Sequence, residues 1–287
     1  MPPLLMMAVR SLLAGGLLLA WARVRGDERP APGQWRAAAA VGLLLFLGCH
    51  GLLAWAEQTV PSGVAALTLA TIPVWLTLLD WATGGVRPRW QATTGLALGL
   101  AGLLFLIAPG ARGGAPLVGQ LALVASAFAW AAGSILSRLL PRPRSLVLAS
   151  GMQLTAGGAA LLVVGLALGE ASRVDARVLA PRPMLSFAYM VVGASLVTFT
   201  AYMWLLRVST PARVGTYAFV NPVVALVLGS TIGGESLGPR TLLASLVIVT
   251  GVALLVTSPA PQRGAASTSR IARSSAGSKR VGSSSIG

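Results

Sequence analysis

Residues Gly95 to Pro109 read GLALGLAGLLFLIAP. No alternation of polar with apolar residues runs through this stretch, and no face of a helix or strand built from it would be polar. Such a segment is at home only in hydrocarbon, where every backbone N–H and C=O must be bonded within the structure. A membrane barrel would show ten-residue stretches of alternating character, so the α-helix is the remaining solution. Outward from it, the same kind of stretch recurs at Pro3 to Trp21, Ala37 to Ala56, Ser62 to Thr83, Trp90 to Ala108, Leu117 to Ser137, Ser145 to Leu168, Met184 to Leu206, Ala212 to Ile232 and Thr241 to Thr257. The fold class this predicts is an all-α integral membrane protein with nine transmembrane helices. The gaps are short and carry turn formers such as Arg29-Pro30-Ala31-Pro32-Gly33 and Pro141-Arg142-Pro143, which make hairpins between antiparallel neighbours.

Composition agrees. The 287 residues are 55% hydrophobic and 10% charged, with a mean hydropathy of +0.78, too little polar surface to wrap a soluble core. A net charge of +15 would suggest nucleic acid in a soluble domain, but the basic residues sit in the gaps between apolar runs, where they set topology. No nucleic-acid partner is expected; the lipid bilayer is the solvent. The single cysteine, Cys49, leaves no disulfide within the chain and no thiolate cluster. A GxxxxGKS/T phosphate loop, a histidine pair for metal and a GxSxG turn are all missing, so neither an enzyme nor a bound cofactor is expected.

Alternate gaps differ in charge. Those after the first, third, fifth and seventh helices, with the carboxyl-terminal tail, hold sixteen Arg and Lys, against five in the others. Positive loops stay on the cytoplasmic side, which places the carboxyl terminus in the cytoplasm, the amino terminus outside, and Arg87 and Arg142 on one face. An exterior amino terminus without a signal sequence is an unusual start and suggests a missing helix.

An internal repeat points the same way. Thr59 to Ala108 overlays Ser209 to Thr257 with a one-residue gap, pairing Pro61 with Pro211, Pro73 with Pro222 and Gly102 with Gly251. Ala14-Gly15-Gly16 falls on Ala156-Gly157-Gly158. The halves are residues 1–110, with four helices, and 115–258, with five, followed by a basic tail at 259–287 expected to be disordered and cytoplasmic. Copies of five helices sit upside down to one another, so the layout is two inverted five-helix repeats, the first incomplete.

The segments PPLLMMAVRSLLAGGLLL, LAWAEQTVPSGVAALTLATIPVW, ASAFAWAAGSILSR with Trp130, and YMWLLRVSTPARVGTYAFVNPVVALVLG running to Gly234-Glu235 resemble the drug/metabolite transporter superfamily in its EamA-type branch. The resemblance implies ten helices in two repeats and export or exchange of small metabolites or amphipathic compounds by alternating access, without ATP or cofactor. Two departures stand out: the family's first helix, which in relatives helps line the cavity, is not present, and Gly85-Val86-Arg87 replaces a glycine-glutamate pair. The reading is a secondary exporter in a bacterial plasma membrane; the alternative is a non-transporting or truncated membrane protein that needs a partner helix.

Pro73 and Pro222 interrupt their helices near the midplane, freeing the carbonyls of Leu69 and Ala218, and matched breaks of this kind mark a binding locus. Thr71 and Trp75 flank the first, Asn221 the second, and Tyr202 and Tyr217 offer aromatic walls on the same hairpin. Trp130 joins the list through the resemblance. His50, the single histidine, precedes Glu57 by seven residues on one helix face, which suits a proton relay, against a solvated Glu57 with no role. Trp55 and Trp204 belong to an interfacial belt. Asp80 and Arg10 lie deeper than loop charges and are expected to reach a surface or pair within the bundle. Gly95, Gly99 and Gly102 admit a close helix neighbour, within the chain by default, with a homodimer as the alternative.

Overall fold

A computed structural model describes residues 2–85, 90–107, 116–175, 180–214, 231 and 238–257. Among these residues every regular element is helical. Six helices are long and apolar enough to cross a membrane: α1 (Pro3–Val24), α2 (Pro32–Ala56), α3 (Ser62–Ala82), α5 (Leu117–Leu139), α6 (Leu146–Ala167) and α7 (Pro181–Val208). Two further helices, α4 (Trp90–Ile107) and α9 (Pro239–Thr257), have 18 and 19 residues. Between α7 and α9 a short helix, α8, covers Pro211–Val214; of the rest of the expected eighth span only Thr231 is among the described residues, and the tail lies outside them.

The helices start where their prolines allow. α2 and α7 begin earlier than the apolar runs suggest, because Pro32 and Pro181 occupy first-turn positions where the missing N–H costs nothing. The Gln34 side chain then accepts from the Ala31 N–H at 3.0 Å and closes the α2 end. Gly26, Gly84 and Gly169 follow α1, α3 and α6 with φ of 72°, 88° and 70°, the left-handed turn that ends a helix.

Polar contacts sort the connections onto two faces. On one, Ser145 donates to Asp27, the Arg144 N–H donates to Glu28 at 2.5 Å, Arg207 donates to the Arg144 and Pro143 carbonyls at 2.7 and 3.3 Å, and Arg138 pairs with Asp80 at 3.0 Å. The ends of α1, α3, α5 and α7 therefore meet, and these are the arginine-rich connections. On the other face the buried carboxylate of Glu170, in a 3₁₀ turn after α6, accepts from the N–H groups of Leu4 and Leu5 at 3.3 and 2.8 Å. A charged acceptor at a helix amino terminus satisfies donors that have no partner within the helix and answers the positive end of its dipole. Arg240 at the start of α9 reaches the Phe105 carbonyl of α4 and lies 4.9 Å over its ring.

Small residues let the helices touch. α1 lies along α6, where a Cβ on Gly15 would meet the backbone of Thr155 at 2.8 Å and one on Gly158 would meet Leu12 at 3.0 Å. One glycine of each pair that overlays in the repeat, Gly15 and Gly158, thus packs its helix against the counterpart. Gly95 and Gly99 face Gly251 of α9 in the same way, and Gly102 faces Ile248, so this seam is filled within the chain. Leu and Val side chains left exposed on α1, α6, α7 and α9 face outward, as lipid contact requires. Trp21, Trp35, Trp55, Trp81, Trp90 and Trp204 are exposed near helix ends, consistent with an interfacial belt, and only Trp75 and Trp130 of the eight tryptophans turn inward.

Candidate functional site

Two helices depart from α geometry where they approach the centre. α2 is π-helical over Leu43–Gly51 and α7 over Met190–Thr198. An extra residue in a turn re-aims the side chains around it and is common at functional positions. The two stretches fall on the helices that precede the matched prolines Pro61 and Pro211. The first carries Phe46, Cys49 and His50, and the second leads into Phe199 and Tyr202.

These residues converge with α1 and α5. Ser126, Trp130 and Ser134 follow one another at four-residue spacing, which lines them along one face of α5. An Arg10 terminal nitrogen lies 3.3 Å from His50 Nδ1. The His50 ring sits 5.4 Å from Phe46 and 5.5 Å from Trp130, and Phe46 sits 5.1 Å from Phe199. The Trp130 indole N–H donates to the Tyr202 hydroxyl at 2.9 Å, with the rings 5.0 Å apart, and Ser134 Oγ is 2.8 Å from the same hydroxyl. Ser126 Oγ donates to the Cys49 carbonyl at 3.0 Å and ties α5 to the π-helical stretch.

Depth follows from helix rise. Arg10 lies about 10 Å inside the start of α1 and Ser134 about 8 Å inside the opposite end of α5, at 1.5 Å per residue. The run Arg10, His50, Trp130, Tyr202, Ser134 is therefore a ladder through the interior of the helix bundle. Ser137 extends it, donating to the Ser134 carbonyl at 2.7 Å, and opens on a cleft lined by Arg142, Gln153, Met203 and Arg207 at the arginine-rich face. Gln153 is 4% exposed there and its Oε1 has no hydrogen-bond partner.

Of the residues singled out from sequence, His50, Trp130 and Tyr202 meet in this ladder. Thr71, Pro73 and Trp75 stand beside it. α3 breaks between Ser62–Leu69 and Ile72–Ala82, with Pro73 in the first turn of the second half. The break is handled locally: the Thr68 carbonyl accepts from the Thr71 N–H at 3.1 Å and from its hydroxyl at 2.6 Å. Trp75 meets Phe128 edge-on at 5.6 Å, and its buried indole N–H has no partner. Tyr217, Asn221 and Pro222 lie outside the described residues.

The relay of His50 with Glu57 has no contact to support it, and Glu57 fits the alternative of a solvated carboxylate. His50 bonds Arg10, and Glu57 is exposed at the end of α2. The π-helical turn alters the register by which two residues seven apart would share a face. Asp80 pairs near the surface as expected. Sequence reading passed over Phe46, Ser126, Ser134 and Phe199. The four-residue spacing around Trp130 was the available signal for the serines, and a lone arginine within an apolar run was the signal for Arg10.

The sequence pattern of the EamA-like transporter family matches residues 1–108 and again residues 117–257. The chain belongs to the EamA-like transporter family. This EamA-like protein is 38% identical to the uncharacterized inner membrane transporter YedA of Escherichia coli (strain K12) over 259 residues, 88% of this chain and 81% of that one. It is 26% identical to the probable amino-acid metabolite efflux pump of the same strain over 208 residues, 67% of this chain and 66% of that one. A solved crystal structure 21% identical in sequence matches its fold with a TM-score of 0.63, covering 89% of this chain and 88% of the other.

Proposed function

We propose that this EamA-like protein is a secondary transporter that exports small metabolites or amphipathic compounds across a bacterial inner membrane by alternating access. The observation that carries the reading is the ladder from Arg10 to Ser134, a buried polar and aromatic run shared by α1, α2, α5 and α7. Polar groups inside a membrane bundle are costly, and where they line up through its depth they mark a solute path. Opening on the arginine-rich face supplies one end of that path. The kinship with YedA, an inner membrane transporter by name, supports transport and location, and the efflux pump supports the outward direction.

The proposal includes nine spans in two inverted repeats, the first with four helices, and a cytoplasmic carboxyl terminus, since the sixteen-charge side is the face retained inside. The break in α3 at Pro73 serves as a hinge and adds Thr71 and Trp75 to the lining; Tyr217, Asn221 and the matched Pro222, outside the described residues, are assigned the same part from the sequence repeat alone. The test is counterflow in proteoliposomes loaded with a mixed pool of unlabelled amino acids and aromatic acids. Accumulation of labelled solute above empty liposomes is the expected result. No movement of any amino acid, aromatic acid or lipophilic cation would sink the proposal.

A further inference from the structure

Arg10 is 6% exposed, inside the bundle and about 10 Å from the end of α1. A guanidinium remains charged at any physiological pH and offers five N–H donors with no acceptor. Among the described residues it bonds a single group, the imidazole of His50, its buried Nε has no partner, and no carboxylate reaches it. An isolated buried charge is among the most costly features a membrane bundle can carry. It is tolerated where an opposite charge arrives as part of the function.

We propose that Arg10 is the counter-charge for a carboxylate on the transported solute, so that the carried compounds are organic anions with an apolar body of about ring size. The proposal rests on the transporter reading and names its substrate class. Geometry supports both parts. The guanidinium fork matches a carboxylate with two parallel N–H···O bonds, which a neutral imidazole cannot supply. Beyond His50 the lining is aromatic, with Phe46, Trp130, Phe199 and Tyr202 in a connected series of ring contacts. Rings in that arrangement hold an apolar body and carry few polar anchors. Trp75 of α3 adds a second buried donor with no acceptor among the described residues, and it packs on the same cluster between α3 and α5 as Trp130. Unmet donors, with no unmet buried carboxylate among the described residues, favour anions over the lipophilic cations that a site of the opposite charge would take.

Equilibrium dialysis tests this with labelled phenylacetate and the full chain in phosphatidylcholine nanodiscs, which carry no anionic headgroup to compete. Unlabelled phenylacetate should displace the label at least about ten times better than phenylacetamide, the difference expected from losing one charge-assisted contact. 2-Phenylethylamine should displace it least. Arg10→Lys should keep the preference for the acid, and Arg10→Gln should abolish it. Absence of phenylacetate binding, equal competition by the amide, or an undiminished preference in a folded Arg10→Gln protein would each overturn the proposal. If Arg10→Gln does not fold, the acid-to-amide ratio of the unaltered protein and of Arg10→Lys decides. Flux of neutral or cationic solutes without any preference for the acid sinks the anion site and leaves transport standing; acid binding without flux does the reverse.

Discussion

Trp130→Ala is expected to cut counterflow at least about tenfold and to lower the thermal unfolding midpoint of the purified protein. Trp130 packs against two clusters at once, Phe46, Phe199 and Tyr202 on one side and Ile72, Leu76 and Ile135 on the other. It also makes the ring contacts that join His50 to Tyr202 among the described residues. Truncation removes those contacts and the hydrogen bond to Tyr202, and leaves a space that neighbouring helices fill only in part. In a soluble core such a change costs about 3 to 5 kcal/mol. In a bilayer the lower end applies, because lipid-exposed apolar surface is no penalty there and packing alone is lost. Trp130→Phe separates the two contributions. It keeps a ring and removes the N–H, and Tyr202 retains Ser134 as a partner, so the stability cost should stay near 1 kcal/mol. An alanine variant that carries solute at the unaltered rate would show that the ladder is packing and no path.

Gly157→Leu should abolish folding, read as loss of the monodisperse peak in size-exclusion chromatography. A Cβ on Gly157 would stand 2.5 Å from the Gly42 carbonyl oxygen and 2.6 Å from the Phe46 side chain, and one on Gly42 would stand 2.9 Å from the Gly157 nitrogen. The Gly42 oxygen is backbone and the Phe46 Cβ is fixed to backbone, so neither can rotate aside. α2 and α6 would have to separate, and Phe46 would leave its place beside His50. Overpacking of a tight contact costs about 1 to 3 kcal/mol when side chains can yield, and more when they cannot. Gly16→Leu is the matched control: nothing stands within 4 Å of a Cβ at Gly16, so that variant should fold and carry solute normally. Normal folding of Gly157→Leu would contradict the close approach of the two helices.

The helices were legible because hydrocarbon imposes one rule on the backbone, and the runs around Gly95–Pro109 obey it without exception. The proline starts of α2 and α7 shifted the boundaries by several residues, since polarity marks where a helix enters lipid and the first turn extends beyond that point. Belt and interior tryptophans separated as expected for Trp55 and Trp204. The partner of His50 was not legible. Arg10 lies 40 positions away on another helix, and the π-helical turn at Leu43–Gly51 upsets the seven-residue spacing that pointed to Glu57. Glu170 was hidden for the same reason: its bonds to Leu4 and Leu5 span 166 and 165 residues and exist only once α6 has packed on α1. Local pattern reveals what lipid selects for, and long-range polar pairing emerges only from the packed bundle.

The most direct measurement is the accessibility of a single cysteine at Ser134, introduced with Cys49→Ala and probed with a charged, membrane-impermeant thiol reagent in right-side-out and inside-out vesicles. Ser134 is fully buried at the inner end of the ladder, bonded to Tyr202. A path that opens to each side in turn predicts modification from both faces, slowed by transported solute. Modification from one face alone, or from neither, would contradict it.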